Sequence, residues 1–434
     1  MASDTGSEIG LHNINQTSDY DANDESPIET QRSPIQMRQH ENHSTLPPVD
    51  GGRQAWLFLA GSFSIEALVW EERSGIAIIG SSAMGIMYLG APFTFAALQW
   101  WPKYRRYYAA IGLGIIAIAL VLSSFSTRVW HLILTQGVLY AVGGSLLYSP
   151  TVLFLDEWFI KRKGFAFGVM WAGTGVSGIC VPLVMNWGLG RYGHRTMLRA
   201  WAITVVILSA PLLYYVKPRI PLSGSSRPRR LDMSFVRTST FWTLQAGNIL
   251  ESLGFFIPNI WLPTYARSIG LSSLAGTMTV IMFNTTSILS QVLLGSLTDR
   301  MHVTDVILVS TIGAALSVFL FWGLAASLPL LCVFSLVYGL FAGGFTSTWS
   351  GIIREVQRRE RGAEAGLVFG LLAAGRGIGS VLSGPLSEAL LKDKPWMGEG
   401  ELGYGTGYGG LIVFTSVSAT LGGVSWIGRR VGWL

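Results

Sequence analysis

A pattern in the first half of this chain recurs in the second half, about 200 residues later. It consists of an apolar span, an acidic residue, a short basic cluster and a glycine-rich apolar span. Three pairs of positions keep the same spacing: Glu157 and Glu355, Gly164 and Gly362, Gly168 and Gly366. The recurrence predicts two similar units joined in tandem, an arrangement typical of duplicated helical bundles in membranes.

The composition indicates that most of the chain lies in lipid. Half of the residues are hydrophobic and only 13% are charged, whereas soluble domains carry about 25% charged residues. No spacing of cysteine, histidine or acidic residues indicates a metal or cofactor site, and no motif indicates nucleic-acid binding or a nucleotide-driven pump. The expected partner is therefore the bilayer itself, with no cofactor.

Apolar stretches of about 20 residues predict helices that cross the hydrocarbon core. We predict an all-α membrane fold with twelve such helices, in two six-helix halves related by a pseudo-twofold axis. The predicted spans are 54–70, 75–100, 107–126, 131–155, 164–187, 199–216, 241–261, 275–297, 305–326, 329–351, 364–391 and 408–427. The predicted organisation is a disordered acidic tail (1–50), a first half (51–216), a linker (217–240) and a second half (241–434).

The distribution of lysine and arginine predicts the orientation. Most of these residues fall just after the acidic tail, in the linker and in every second loop. Basic loops stay in the cytosol. We therefore expect a multi-pass protein of the plasma membrane with both termini in the cytosol, with a vacuolar or other internal membrane as the alternative.

Three sequence motifs resemble the signature motifs of one family. They are Asp50-Gly51-Gly52 with Trp56, the segment 157–168 with glycines at 173, 175 and 178, and the segment 295–300. These residues resemble the monocarboxylate-porter-like family of the major facilitator superfamily, in its fungal branch. The resemblance implies a secondary transporter that moves small organic anions by alternating access, with protons as the coupling ion.

The sequence departs from that family at three places. Arg53 stands where animal members usually carry an aromatic residue, and helix eight carries Ser287 and Gln291 where proton–lactate members carry an aspartate and an arginine. The first span, 54–70, reaches only about 25 Å, which is less than a core of about 30 Å. The expectation is a deletion at the end of helix one, from a shortened isoform or an error in the gene model.

Ionisable residues inside the spans are candidates for substrate and proton binding, because a charge at membrane depth is costly and persists where it faces a cavity or a partner. Arg376 is a candidate counter-charge for an organic anion, and Glu251 and Glu66 are candidate proton carriers. The alternative is that Arg376 and Glu251 form a fixed structural ion pair. Asn248 belongs to the same set of candidates. Asn284 and Gln291 are interpreted either as substrate ligands or as residues that form hydrogen bonds between helices.

A second set of charged residues is predicted at the cytosolic ends of the helices. The predicted gate consists of Asp299, Arg300, Glu157, Glu355 and Arg359. We expect them to pair with one another, with Arg162, and with the amino ends of helices five and eleven when the cytosolic side is closed. The alternative is that the basic members serve only as topology signals.

Two other classes of function compete with transport. The short first span favours a non-transporting receptor or a defective isoform. A membrane enzyme would need a clustered catalytic set, which the spans lack, so we expect no enzymatic activity.

Overall fold

The computed structural model describes residues 46–69, 77–220, 231–394, 396–398, 400 and 402–434. Apart from Leu46, they belong to one compact unit, Pro47–Leu434. Two predictions fall outside the described residues: the acidic tail up to residue 45 and the middle of the linker, 221–230. The predicted deletion also falls there, because residues 70–76 are not described.

The described residues fold into twelve helices and no strand, so the predicted all-α fold is confirmed. The first six are α1 (Gly52–Val69), α2 (Ala77–Trp100), α3 (Arg105–Ser124), α4 (Val129–Trp158), α5 (163–192) and α6 (194–213). The second six are α7 (Ser239–Ser268), α8 (Ser273–Thr298), α9 (Val303–Trp322), α10 (Leu328–Arg359), α11 (Ala365–Leu391) and α12 (Gly409–Val431).

Eight described helical segments are long and apolar enough to cross a membrane. One of them, Lys163–Leu213, contains both α5 and α6, which are separated by a break at Gly193 (φ 73°, ψ 167°). Helices α1, α2 and α7 fall outside this set. The reason is clear for α7, which carries buried Gln245, Asn248 and Glu251 and which other helices surround.

Several helix ends differ from the prediction. Helix α7 continues to Ser268 rather than ending near residue 261, although Pro258 and Pro263 lie inside it. Packing against α8, α11 and α12 holds this helix together, and neighbouring helices commonly compensate for proline inside membrane helices. Helix α10 is interrupted by a 3₁₀ turn, Phe345–Thr348, which divides it into α10a (Leu328–Ala342) and α10b (Trp349–Arg359).

The repeated glycine-rich spans occupy corresponding positions. Helix α5 packs along α8, and helix α11 packs along α2. Gly164 and Gly168 of α5 contact the α8 backbone, while Gly370 of α11 contacts the α2 backbone at Pro92 and Gly366 faces the Phe95 side chain. Glycine is required where the backbones approach this closely, because a Cβ atom would overlap the facing helix.

Candidate functional site

A cavity lies at the middle of the bundle, between two walls. One wall, the α2–α5 wall, consists of Met84, Met87, Tyr88, Tyr140 and Trp171 with Thr174. The other, the α7–α11 wall, consists of Phe255, Phe256, Asn259, Phe283, Asn284, Ser287, Gln291, Thr346 and Arg376. The cavity volume is about 100 Å³. Among the described lining residues, Arg376 is the only one that carries a full charge.

Arg376 forms an ion pair with Glu251 at the edge of this cavity. The Arg376 Nη1 atom donates a hydrogen bond to Glu251 Oε2 at 2.8 Å, and the two side chains are only 3% and 5% exposed. The Arg376 guanidinium also lies over the Phe255 ring, 4.2 Å from its centroid, and 5.3 Å from that of Phe256. Removing one member of such a pair would leave a buried charge uncompensated, which is strongly destabilising.

Glycines on both sides of Arg376 place it at this junction. Gly375 and Gly379 contact α7, and a Cβ on Gly377 would lie 2.8 Å from the Cβ of Tyr88 on α2. Because α11 can approach both neighbours, the arginine between these glycines reaches the cavity and the α7 carboxylate at once. The sequence signal for this residue was its charge inside an apolar span.

Asn248, one helical turn before Glu251, is buried away from the cavity wall. Its Nδ2 donates to the carbonyl oxygen of Leu372 on α11 at 2.8 Å, and its Oδ1 accepts from Trp349 Nε1 on α10b at 3.1 Å. Asn248 therefore links α7, α10b and α11 one helical turn away from the ion pair. The predicted contact with substrate has no support in this geometry.

Asn284 and Gln291 both lie on α8 and line the cavity. Gln291 donates to the carbonyl oxygen of Gly343 at 2.8 Å and to Thr346 Oγ1 at 3.0 Å, and its Oε1 accepts from Ser347. These hydrogen bonds stabilise the interruption of α10, so Gln291 links α8 to α10. Asn284 Nδ2 donates to the carbonyl oxygen of Val280 at 3.1 Å, while its amide faces Gly178 on α5.

Glu66 is buried within the first six helices rather than in the cavity wall. The Thr151 hydroxyl of α4 lies 3.4 Å from its Oε1, and Gly173 of α5 packs against its Cβ. The structure thus brings Arg376, Asn284 and Gln291 to one cavity and places Glu251 directly behind Arg376. Glu66 and Asn248 lie elsewhere.

Asp299 joins α8 to the amino end of α5. Its carboxylate accepts hydrogen bonds from the backbone N–H groups of Gly164 and Phe165, each at 2.8 Å, and from Arg354 Nη2 at 3.0 Å. A carboxylate at a helix amino end is favoured by the exposed N–H groups and the helix dipole. This contact closes the end of the bundle where α4 ends, α5 begins and α8 ends, which we call the basic face.

The other predicted gate residues form the expected contacts only in part. The expected pair of Glu157 with Arg162 is not formed: Glu157 accepts from the backbone N–H of Ile220 at 3.1 Å. Glu355 forms the expected pair with Arg359, at 3.9 Å, and also binds Arg358 at 3.3 Å and His302 at 3.5 Å. Arg300 is exposed. The Glu157 partner Ile220 lies beyond the end of α6, a contact that the sequence pattern does not reveal.

One carboxylate at the basic face was noticed in the sequence only as part of a motif. The two carboxylate oxygens of Asp50 accept hydrogen bonds from the backbone N–H groups of Ile160, Lys161 and Arg162, at 2.9 to 3.0 Å. The Asp50 N–H donates to the carbonyl oxygen of Trp158 at 2.9 Å. Asp50 therefore fixes the loop between α4 and α5, in place of the Glu157–Arg162 pair.

Five aromatic residues separate the cavity from the basic face. Phe369 lies at their centre, with ring centroids 5.2 Å from Phe95, 5.2 Å from Trp349, 6.2 Å from Phe167 and 6.3 Å from Trp171. All five are at most 2% exposed. We call this cluster the aromatic plug; it comes from α2, α5, α10b and α11, and sequence analysis did not identify it.

Comparisons with known proteins agree with this architecture. The chain is 27% identical over 376 residues to MFS-type transporter pynF of Aspergillus niger (80% of this chain, 85% of the relative), and 24% identical to MFS transporter asaE of Aspergillus flavus (81% and 83%). The crystal structure of the human organic anion transporter MFSD10 has the same fold, with a TM-score of 0.60 and 14% identity, over 82% of this chain and 83% of that one. The family model of the Major Facilitator Superfamily matches residues 55–283 and 246–431. The chain therefore belongs to the Major Facilitator Superfamily and is a multi-pass membrane transporter of that type.

Proposed function

We propose that the protein is a monocarboxylate-porter-like carrier that moves small organic anions together with protons by alternating access. The observation that carries this proposal is the buried Arg376–Glu251 pair at the edge of the central cavity. A cation that faces a cavity in the middle of the bilayer is a binding point for an anion, provided that its existing partner can release it.

Protonation of Glu251 would provide that release. With both groups charged, the pair is neutral and Arg376 attracts a second anion weakly. When Glu251 takes up a proton, the positive charge of Arg376 is no longer compensated, and a carboxylate in the cavity becomes the favoured partner. Loss of the proton restores the ion pair and displaces the anion, so the two ligands would bind and leave together.

The closed basic face supports an alternating-access cycle. Asp299 binds the amino end of α5 at that face, and the aromatic plug lies between the face and the cavity. We propose that the basic face is cytosolic, that both termini lie there, and that the protein is in the plasma membrane. Opening the route to the cytosol would then require the Asp299 contacts and the plug to separate.

The second candidate is a non-transporting member of this family, in which Arg376 and Glu251 are a permanent structural pair. The short first apolar span of the sequence, 54–70, favours it. The 18 residues of Gly52–Val69 span about 27 Å at 1.5 Å per residue, slightly less than a typical hydrocarbon core of about 30 Å. This candidate predicts correct folding with no uptake of any solute.

Uptake by the full chain in proteoliposomes tests both candidates. Labelled monocarboxylates would be offered with and without a pH gradient, for the wild type, Arg376→Ala, Glu251→Gln and the control Arg195→Ala, which changes an exposed arginine. We expect Arg376→Ala to abolish uptake and Arg195→Ala to leave it unchanged.

Glu251→Gln separates proton coupling from anion binding. Because glutamine cannot release a proton, we expect this variant to lose stimulation by the pH gradient while it still exchanges external for internal anion. Gradient-driven uptake that persists in both Glu251→Gln and Glu66→Gln would contradict proton coupling through these carboxyls. Folded wild-type protein that carries none of the anions would favour the non-transporting candidate.

A further inference from the structure

We infer that the cavity selects monoanions whose body is a single flat ring, an aromatic carboxylate rather than a short aliphatic one. The inference rests on the proposed function, because it takes Arg376 as the anion-binding group. It is carried by a separate observation: the α2–α5 wall presents mainly ring and thioether surfaces, while the charged group Arg376 lies on the other wall.

The α2–α5 wall offers almost only ring and thioether surfaces. It presents Tyr88, Tyr140 and Trp171 beside Met84 and Met87. Two of its hydroxyl groups are already used, because Tyr140 donates to the carbonyl oxygen of Val69 at 3.0 Å and Thr174 to that of Trp171 at 2.8 Å. Aromatic and sulfur-containing side chains pack favourably on the face or edge of another ring.

Among its described residues, the α7–α11 wall carries charge at one point, Arg376. Gln291 bonds to the Gly343 carbonyl and the Thr346 hydroxyl of α10, whereas Ser287 and Asn284 each donate to a carbonyl of their own helix. Arg376 has five N–H donors, of which one is engaged with Glu251. A ligand with one carboxylate can satisfy this site, whereas a second carboxylate would be left facing the ring surfaces of the other wall.

The size of the cavity restricts the rest of the ligand. A single water needs about 10–15 Å³ of such space, so the cavity of about 100 Å³ holds roughly seven to ten water-sized groups. A ring with one carboxylate fills this space. A short aliphatic acid would leave ring surface uncovered.

Competition for uptake of labelled benzoate tests this inference. The competitors are unlabelled benzoate, cyclohexanecarboxylate and propionate, which share one negative charge. Cyclohexanecarboxylate is similar in size to benzoate but is not flat and has no aromatic face. From the strength of pairs of aromatic rings we expect benzoate to inhibit roughly 3- to 10-fold more strongly than cyclohexanecarboxylate.

Two substitutions of Trp171 assign the preference to the α2–α5 wall. Trp171→Phe keeps a ring and should keep most of the ratio, whereas Trp171→Leu should bring the ratio of the two inhibition constants close to one. The ratio is measured within a single preparation, so it does not depend on how much of a variant folds. An unchanged ratio in Trp171→Leu would overturn this assignment.

The outcomes separate this inference from the proposed function. Equal inhibition by benzoate and cyclohexanecarboxylate in the wild type overturns the ring preference. If propionate is carried in an Arg376-dependent manner while benzoate neither competes nor is carried, anion transport stands and the inference fails. If no carboxylate is carried or competes, both fail.

Discussion

Gly164 at the start of α5 and Gly295 near the end of α8 are in backbone contact. A Cβ atom on either residue would overlap the carbonyl oxygen of the other. The contact lies beside Asp299, whose carboxylate binds the N–H groups of Gly164 and Phe165. The closed basic face therefore depends on two helices that approach without side chains between them.

Replacing Gly295 by alanine should weaken this closure. The added methyl group meets rigid backbone rather than a flexible side chain, so the two helices must move apart, and overpacking of this kind costs about 1–3 kcal/mol. We expect a lower apparent melting temperature of the purified protein in detergent. Gly114→Ala on α3 is the matched control, because a Cβ there meets nothing within 4 Å and alanine favours a helix.

Equal melting temperatures for Gly295→Ala and Gly114→Ala would contradict the backbone contact. Recovery of the melting temperature of Gly295→Ala by a second substitution elsewhere on α8 would not contradict the contact, because relaxation of α8 is the expected route of compensation.

The helices of this protein could be predicted from sequence, but most partners of its polar residues could not. Hydropathy along the chain locates a helix because burial in lipid depends only on length and side-chain type. Which residues meet across two helices depends on their rotation and crossing, as in the bond from Trp349 to Asn248. Arg376 and Glu251 were identifiable because a charge inside an apolar span stands out by itself.

The gate illustrates the same limit. Asp299 could be proposed from its motif, and its binding to the amino end of α5 agrees with what helix dipoles favour. Glu157 could not be assigned, because its partner is the backbone of Ile220, which lies far away in sequence. Asp50 carries out the role expected of Glu157, and a tight turn with Asp50 at φ 56° places it there.

Removing the Asp299 carboxylate should open the basic face. Asp299→Ala removes three hydrogen bonds. Each hydrogen bond to a charged group contributes about 1.5–3 kcal/mol to stability. Even one such loss shifts the equilibrium between closed and open states about 10- to 100-fold. We expect a cysteine introduced at Ser287, in a background without Cys180 and Cys332, to react faster with an impermeant maleimide added at the basic face.

Arg300→Ala is the neighbouring control for this experiment, because the Arg300 side chain is exposed. Its labelling rate should match that of the unsubstituted background. Faster labelling in Arg300→Ala but not in Asp299→Ala would reverse the roles that we give to these two residues.

His302, just before α9, should make stability depend on pH. Partial burial and the nearby Arg429, together with Arg358, lower its pKa below the ordinary value of 6.5, although Glu355 and Asp305 act in the opposite direction. Since the unfolded chain then binds the proton more readily, stability is unaffected well above pH 6.5 and falls as the pH drops below it.

The substitution His302→Asn tests this pH dependence. Asparagine keeps a side chain that can cap α9 in place of the His302 contact with the Thr304 N–H, but it does not titrate. We expect the melting temperature of the wild type to fall more steeply than that of His302→Asn between pH 7.5 and pH 5. Parallel curves would show that this histidine does not contribute.

The hydrogen bond from Trp349 Nε1 to Asn248 Oδ1 should couple the region of the ion pair to the aromatic plug. Asn248→Ala leaves the buried Trp349 N–H without its partner, which costs about 1–3 kcal/mol. Trp349→Phe removes the same N–H from the other side and retains a ring against Phe369. If this bond couples the two residues, the double variant should lose about 1 kcal/mol less stability than the sum of the losses in the two single variants. Thermal unfolding of the four proteins gives this coupling, and strictly additive losses would mean that the two residues act independently.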